Sequence, residues 1–361
     1  MPYRPLRARI HLAAIRHNYR LAKQAASTAK ALAVIKANAY GHGAVAVARA
    51  LAPEADGFAV SCLEEALELR DSGIEAPILL LEGVFAPDEL PLTARLDLTV
   101  VIHNRLQLAW VLGARPDRPL GCWIKLDTGM HRLGFAPEEL PEVMASLEDC
   151  PHVRLQAAMT HFARADEPEH PYTAKQIAAF ERALAGKRIA SSLANSAALL
   201  SEPRAHGDWT RPGIMLYGAS PFADPTRPLL GDLRLRPAMT LESALIAIKE
   251  LAPGEPVGYG GRFVCTRPTR LGIAALGYAD GYPRHAPDGT PIAVAGQLTR
   301  LIGRVSMDLL TLDLTDIAAQ PGDRVELWGE QVSVGAVAAA SGTIAYELLT
   351  GIGRRVPLIH E

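Results

Sequence analysis

Over its first two thirds the chain alternates short apolar runs with longer amphipathic segments, the pattern of strands joined by helices around a parallel sheet. The runs predict strands at Leu32 to Ile35, Gly57 to Val60, Ile78 to Leu81, Leu98 to Ile102, Cys122 to Leu126, Val153 to Met159, Ile189 to Ala194 and Gly213 to Tyr217. Eight βα repeats predict an α/β fold of the (β/α)8 TIM-barrel type. Between the runs, Leu12, Ile15, Tyr19, Ala22 and Ala26 recur at helical spacing. Ser61-Cys62-Leu63-Glu64 and Asn104-Arg105-Leu106-Gln107 have the form of capping boxes, and Gly73 with Pro77 stops a helix before the third strand.

After Tyr217 the texture changes. Pro221, Pro225, Pro228 and Pro237 interrupt any long regular element and mark a domain boundary. Beyond them Leu310 to Leu314 and Arg324 to Leu327 alternate at period two between Gly and Pro turns, which predicts a second, smaller, mostly β C-terminal domain.

Composition narrows the function. The 361 residues carry 37 Lys+Arg against 39 Asp+Glu, so charge gives no reason to expect nucleic acid as a partner. No apolar stretch approaches the length of a membrane span, and the basic N-terminus lacks an apolar leader core. Four cysteines in so long a chain do not suggest a disulfide framework. These features predict a cytoplasmic protein with free thiols.

In such barrels chemistry sits at the C-terminal ends of the strands. The first strand ends at Lys36 in the run AVIKANAYGHG, where an amine follows apolar residues and precedes small, polar and glycine residues. Desolvation there would lower its pKa enough for a covalent nucleophile or a general base. The run resembles the cofactor-lysine motif of the alanine racemase family, fold type III pyridoxal-phosphate enzymes. Further segments resemble the family in order: KLDTGMHRLGF from Lys125, THFARADE from Thr160, LANSA from Leu193, RPGIMLYG from Arg211, GYGG from Gly258, GYADGYPR from Gly277, GRVSMD from Gly303 and IAYELLTGIGRRVP from Ile344.

The resemblance implies a barrel over residues 11–232, with residues 1–10 joining 233–361 in the β domain. It also implies a head-to-tail homodimer whose shared active sites interconvert L- and D-alanine, supplying peptidoglycan. Lys36 would hold pyridoxal 5'-phosphate and serve one face of the substrate; Tyr259 of the partner subunit would serve the other. His161 would hydrogen-bond that tyrosine, and Arg211, permanently protonated, would face the pyridine nitrogen and leave a weaker electron sink than an acid would. Tyr40, Ser196, Tyr346 and the amides of Gly213 and Ile214 would hold the phosphate. Arg132 would approach the cofactor oxygen and the substrate carboxylate, with Lys125, carbamylated in many members, holding it; the simpler alternative pairs Lys125 with Asp127. Met307 and Asp308 would lie beside the substrate, and Tyr278 and Arg284 along its access corridor.

The chain departs from the family pattern at His131, at Ser191-Ser192 where others carry a histidine, and near Arg355, after which a common final arginine is missing. Neither His131 nor Ser192 is expected to touch a catalytic position. The alternatives are a broad-specificity racemase, a decarboxylase of the same class, which would not need Tyr259, and a non-catalytic cofactor carrier, which would not need the second domain. A metal-dependent hydrolase is disfavoured because no His, Asp or Cys cluster has ligand spacing, and no metal is expected.

Overall fold

The structure, a computed structural model, describes residues 3–224, 226–227 and 233–361. Pro225, Pro228 and residues 229–232, where the sequence places the domain boundary, lie outside the described residues. Seven parallel strands follow in sequence order: Lys30–Val34, Gly57–Val60, Ile78–Leu80, Leu98–Ile102, Leu120–Lys125, Val153–Met159 and Ala190–Ser192. The eighth, Trp209–Thr210, returns to pair with the first, Lys30 opposite Trp209. Backbone bonds from Asp208 N to Ser191 O (3.0 Å) and from Arg211 N to Ala194 O (2.9 Å) tie it to the seventh and nearly close the barrel.

The eighth strand is therefore not Gly213 to Tyr217. Ile214–Tyr217 form a single 3-10 turn whose four side chains are all buried, and a short buried apolar run has the same sequence signature in either form. Pro212, without an N–H, cannot carry a ladder into it. The first helix, Leu12–Ala25, holds this turn in place, Asn18 Nδ2 donating to Leu216 O at 2.9 Å. Asn104 caps its helix as predicted, accepting from Gln107 N at 2.8 Å. At the other predicted box Cys62 is the N-cap residue, so the third helical residue is Glu65 rather than Glu64, and Glu65 reaches back to Ser61 N at 2.7 Å.

In the second sheet the long strand Met239–Leu251 pairs antiparallel with Arg7–Ile10, Thr269–Ala274 and Arg324–Trp328. Arg7–Ile10 also pairs, in parallel, with Leu358–His360. Leu310–Asp313 shows the predicted alternation, Leu310 and Leu312 buried between less buried neighbours. Arg324–Trp328 departs from it, because the buried Glu326 is satisfied by Gln331 N (2.8 Å) and Arg324 (3.2 Å). The four cysteines are free, and no helix among the described residues is long and apolar enough to cross a membrane.

Candidate active site

Directly after the first barrel strand, Ala37, Asn38, Ala39 and Tyr40 all have φ between 51° and 54° and form one turn of left-handed helix. For L-residues this conformation costs roughly 1–2 kcal/mol each, so the turn must be held from outside. Glu65 Oε1 accepts from Ala37 N (2.6 Å), Asn38 Oδ1 accepts from Ala44 N (2.8 Å), and the His42 ring lies against two carbonyls of the turn. Gly41, at φ 81°, passes so close to Leu349 O that a Cβ would stand 2.2 Å from it.

The turn delivers Lys36 and Tyr40 to a cavity of about 240 Å³. Ten of the residues expected at the site line it, from Lys36 to Tyr346 on the helix Ala345–Thr350. Lys36 Nζ lies 3.3 Å from Glu82 Oε1. Among the charged residues of the lining, four cations (Lys36, Lys125, Arg132 and Arg211) face one carboxylate, Glu82. Such a cavity is built for anions. At its other end Ser196 Oγ accepts from Gly213 N (2.8 Å) and Met215 N (3.3 Å). A Cβ on Gly213 would stand 2.8 Å from Tyr40 Oη, so glycine keeps this hydroxyl-lined end open. Burial, and then Glu82, pushes the Tyr40 phenol up to about 12, so it remains a neutral donor.

Arg211 is buried, and its guanidinium donates to Ser192 Oγ (2.5 Å), Thr160 O (2.6 Å) and Leu193 O (3.1 Å). Burial lowers its pKa to about 10, which still leaves a cation at neutral pH. Ser192, expected to touch no catalytic position but able to retune the cofactor surroundings, accepts from Arg211 and donates to Trp209 O (2.8 Å). Arg211 follows the eighth strand directly, so it too occupies the chemical end of the barrel. Lys125 is buried and does not pair with Asp127, whose carboxylate instead accepts from Gly129 N and His131 N at 3.0 Å. Burial, then the charges of Arg211 and Arg132, lowers the Lys125 amine to about 8. Burial and the same cations hold His161 well below its ordinary value, hence neutral. His131 stays at the surface against Asp127.

Five expected residues lie outside the cavity. Tyr259 and Met307 are exposed, at 69% and 53% of their full surface. Asp308 receives Arg355 (2.6 Å), which also grips the wholly buried Asp280 (2.6 Å) together with Arg4 (2.7 Å). Tyr278 packs under the guanidinium of Arg284 at 5.9 Å. Sequence reasoning missed Glu82, although it follows the third strand at the expected end, and Asn195, which caps the helix Ser196–Ser201 while lining the cavity.

The alanine racemase N-terminal domain family matches residues 10–221, and the C-terminal domain family matches residues 238–360. The alanine racemase of Aromatoleum aromaticum is 56% identical over 97% of this chain and 98% of its own. A Pseudomonas putida protein named a catabolic alanine racemase is 54% identical, covering 98% of each. The solved biosynthetic alanine racemase of Pseudomonas aeruginosa superposes with a TM-score of 0.95 at 52% identity, covering 99% of both chains.

Proposed function

The chain belongs to the alanine racemase family and interconverts L- and D-alanine; we propose that it does so with pyridoxal 5'-phosphate and two bases, Lys36 and Tyr259 of the partner subunit. The observation that carries the cofactor assignment is the cavity itself, four cations against one carboxylate with a hydroxyl-lined end kept open by Gly213. When bound, pyridoxal phosphate supplies the electron sink that makes the α-proton of alanine removable. Lys36 holds it covalently and moves the proton of D-alanine at Nζ. Tyr40, Ser196, Tyr346 and the Gly213 and Ile214 amides hold the phosphate, with Arg211 facing the ring nitrogen. Arg132 and the Met307 amide of the partner subunit orient the substrate carboxylate.

Racemisation needs a proton taken from one face and another returned to the opposite face, and the two tyrosines that line the cavity of one chain, Tyr40 and Tyr346, are assigned to the phosphate. Tyr259 and Met307, exposed and outside the cavity, are therefore assigned to the site of a second copy. We assign Tyr278 and Arg284 to the access corridor and Asp308 to holding the Met307 loop. We divide the domains at 11–232 and 1–10 with 233–361, Arg7–Ile10 being hydrogen-bonded into the second sheet. Made in the cytoplasm, the D-alanine would feed peptidoglycan.

Mixing subunits tests the shared site. Lys36→Ala and Tyr259→Ala chains, each inactive alone, should recover roughly a quarter of wild-type specific activity after co-refolding in equal amounts, because half the dimers are mixed and each mixed dimer has one intact site. No recovery in dimers shown to be mixed would place both bases on one chain.

Lys125 is proposed to be carbamylated. An amine at about 8 is partly neutral at working pH, the form that reacts with carbon dioxide, and the product replaces a cation among cations with an anion that holds Arg132. Intact mass in bicarbonate should show one added carbon dioxide, absent from Lys125→Ala. Stripped of carbon dioxide, the folded protein releases this proton near pH 8 while the unfolded chain keeps it to the ordinary 10.5. The unfolded state then binds more protons, so stability should rise over that range by about 3 kcal/mol. Denaturant unfolding at several pH values measures it; a flat profile would remove the buried amine from the account.

A further inference from the structure

We propose that His42 is the positioning residue for the cofactor lysine: its Nδ1–H, shared between the carbonyls of Ala39 (3.0 Å) and Tyr40 (2.9 Å), holds the left-handed turn that aims Lys36 and Tyr40 into the cavity. This rests on Lys36 being the lysine that takes pyridoxal phosphate. Both ring contacts are to carbonyl oxygens, so Nδ1 carries the proton. Neighbouring carbonyls point to opposite sides in an extended chain, and one donor reaches both only when they point the same way, as in a helical turn. The four residues of the turn include no glycine, and only Asn38 is of a type that tolerates positive φ; Ala37, Ala39 and Tyr40 are not. A fixed outside donor supplies that preference.

The ring itself is fixed. His42 is wholly buried, packs tilted against Tyr217 with ring centroids 4.5 Å apart, and its carbonyl accepts from His360 Nε2 at 2.9 Å. Tyr217 in turn stacks on Tyr40 at 4.7 Å and donates to Val34 O at 2.9 Å, so backbone donor and aromatic stack converge on the same segment. The other ring nitrogen, Nε2, has no partner. A histidine retained only to fill the core would gain nothing from an imidazole over a phenyl ring. The one use made of its polarity here is toward the turn.

Two substitutions separate donor from ring. In His42→Asn the amide nitrogen takes the place of Nδ1 without the stack; His42→Phe keeps the stack without the donor. The first readout is amide hydrogen exchange over residues 36–43 in protein stripped of cofactor. His42→Phe should exchange about tenfold faster there, as for loss of one buried hydrogen bond, while His42→Asn stays close to wild type. The second readout is pyridoxal phosphate affinity by absorbance, with borohydride reduction and peptide mass locating it on Lys36. His42→Phe should bind about tenfold more weakly, and adding Ala37→Gly, which relieves an exposed left-handed position, should recover part of the loss. Wild-type exchange in His42→Phe, or equal damage in His42→Asn, overturns the proposal. If His42→Phe does not fold, His42→Asn decides alone, and a fast-exchanging turn in it counts against the donor. If wild-type Lys36 takes up no pyridoxal phosphate, the functional reading fails, whereas the exchange comparison still decides the role of His42.

Discussion

Lys36→Ala is expected to abolish racemisation in both directions, by roughly 10⁴-fold or more, since it removes both a covalent anchor and a general base. The rest of the cavity should survive. Arg211 keeps its contacts to Ser192, Thr160 and Leu193, and Ser196 keeps the Gly213 amide, because neither set involves Lys36. Pyridoxal phosphate should therefore still bind, but reversibly, and borohydride should no longer fix it to the protein. Proton NMR of D-alanine in deuterated buffer should show no exchange at the α-carbon. Residual exchange would implicate Lys125, the other amine lining the cavity, and would displace Lys36 from the centre of the mechanism.

Tyr259→Phe should have a one-sided effect. Turnover from L-alanine should fall by about 10²–10⁴-fold, the usual contribution of a positioned general base, while pyridoxal phosphate stays fixed to Lys36. The face served by Lys36 should keep working, so D-alanine in deuterated buffer should exchange its α-proton and remain D. Chiral separation of the product alongside the NMR assay distinguishes exchange with retention from exchange with inversion. Undiminished turnover from L-alanine would move the second base to another group, the neutral His161 at the cavity wall being the nearest alternative in kind.

The barrel was legible because its strands, buried on both faces, read as near-continuous apolar runs. Gly57–Val60 and Leu98–Ile102 were located to the residue on that signal. Trp209–Thr210 was not, since two residues make no run, and the apolar plug Ile214–Tyr217 stood beside it with the same texture. The place of Lys36 followed from its strand, but its direction did not. Of Ala37 to Tyr40 only Asn38 is of a type that tolerates positive φ, and with Gly41 and Gly43 it is a weak hint of the turn. His42 holds that turn from two residues beyond it, but Glu65 does so from another βα unit, through a contact that local sequence does not encode. Ser192 was recognised only as a departure from the family; its bond to Arg211 depends on two barrel strands closing against each other. Tyr259 rested on the resemblance, because a single chain leaves it facing away from the chemistry.

The strand Arg7–Ile10 lies between Met239–Leu251 and Leu358–His360. Backbone bonds such as Ala8 N to Pro357 O (2.9 Å) and Leu12 N to Glu361 O (2.9 Å) join segments far apart in sequence, so Arg7–Ile10 cannot gain this second neighbour until Leu358–His360 has been synthesised. During translation the barrel can assemble from consecutive βα units while Arg7–Ile10 waits, first for Met239–Leu251 and then for Leu358–His360. A nascent chain stalled just before Leu358 would hold every barrel strand and a second sheet with an open edge at Arg7–Ile10. Emergence of Leu358–His360, rather than barrel closure, thus sets the moment at which the second sheet is completed around Arg7–Ile10.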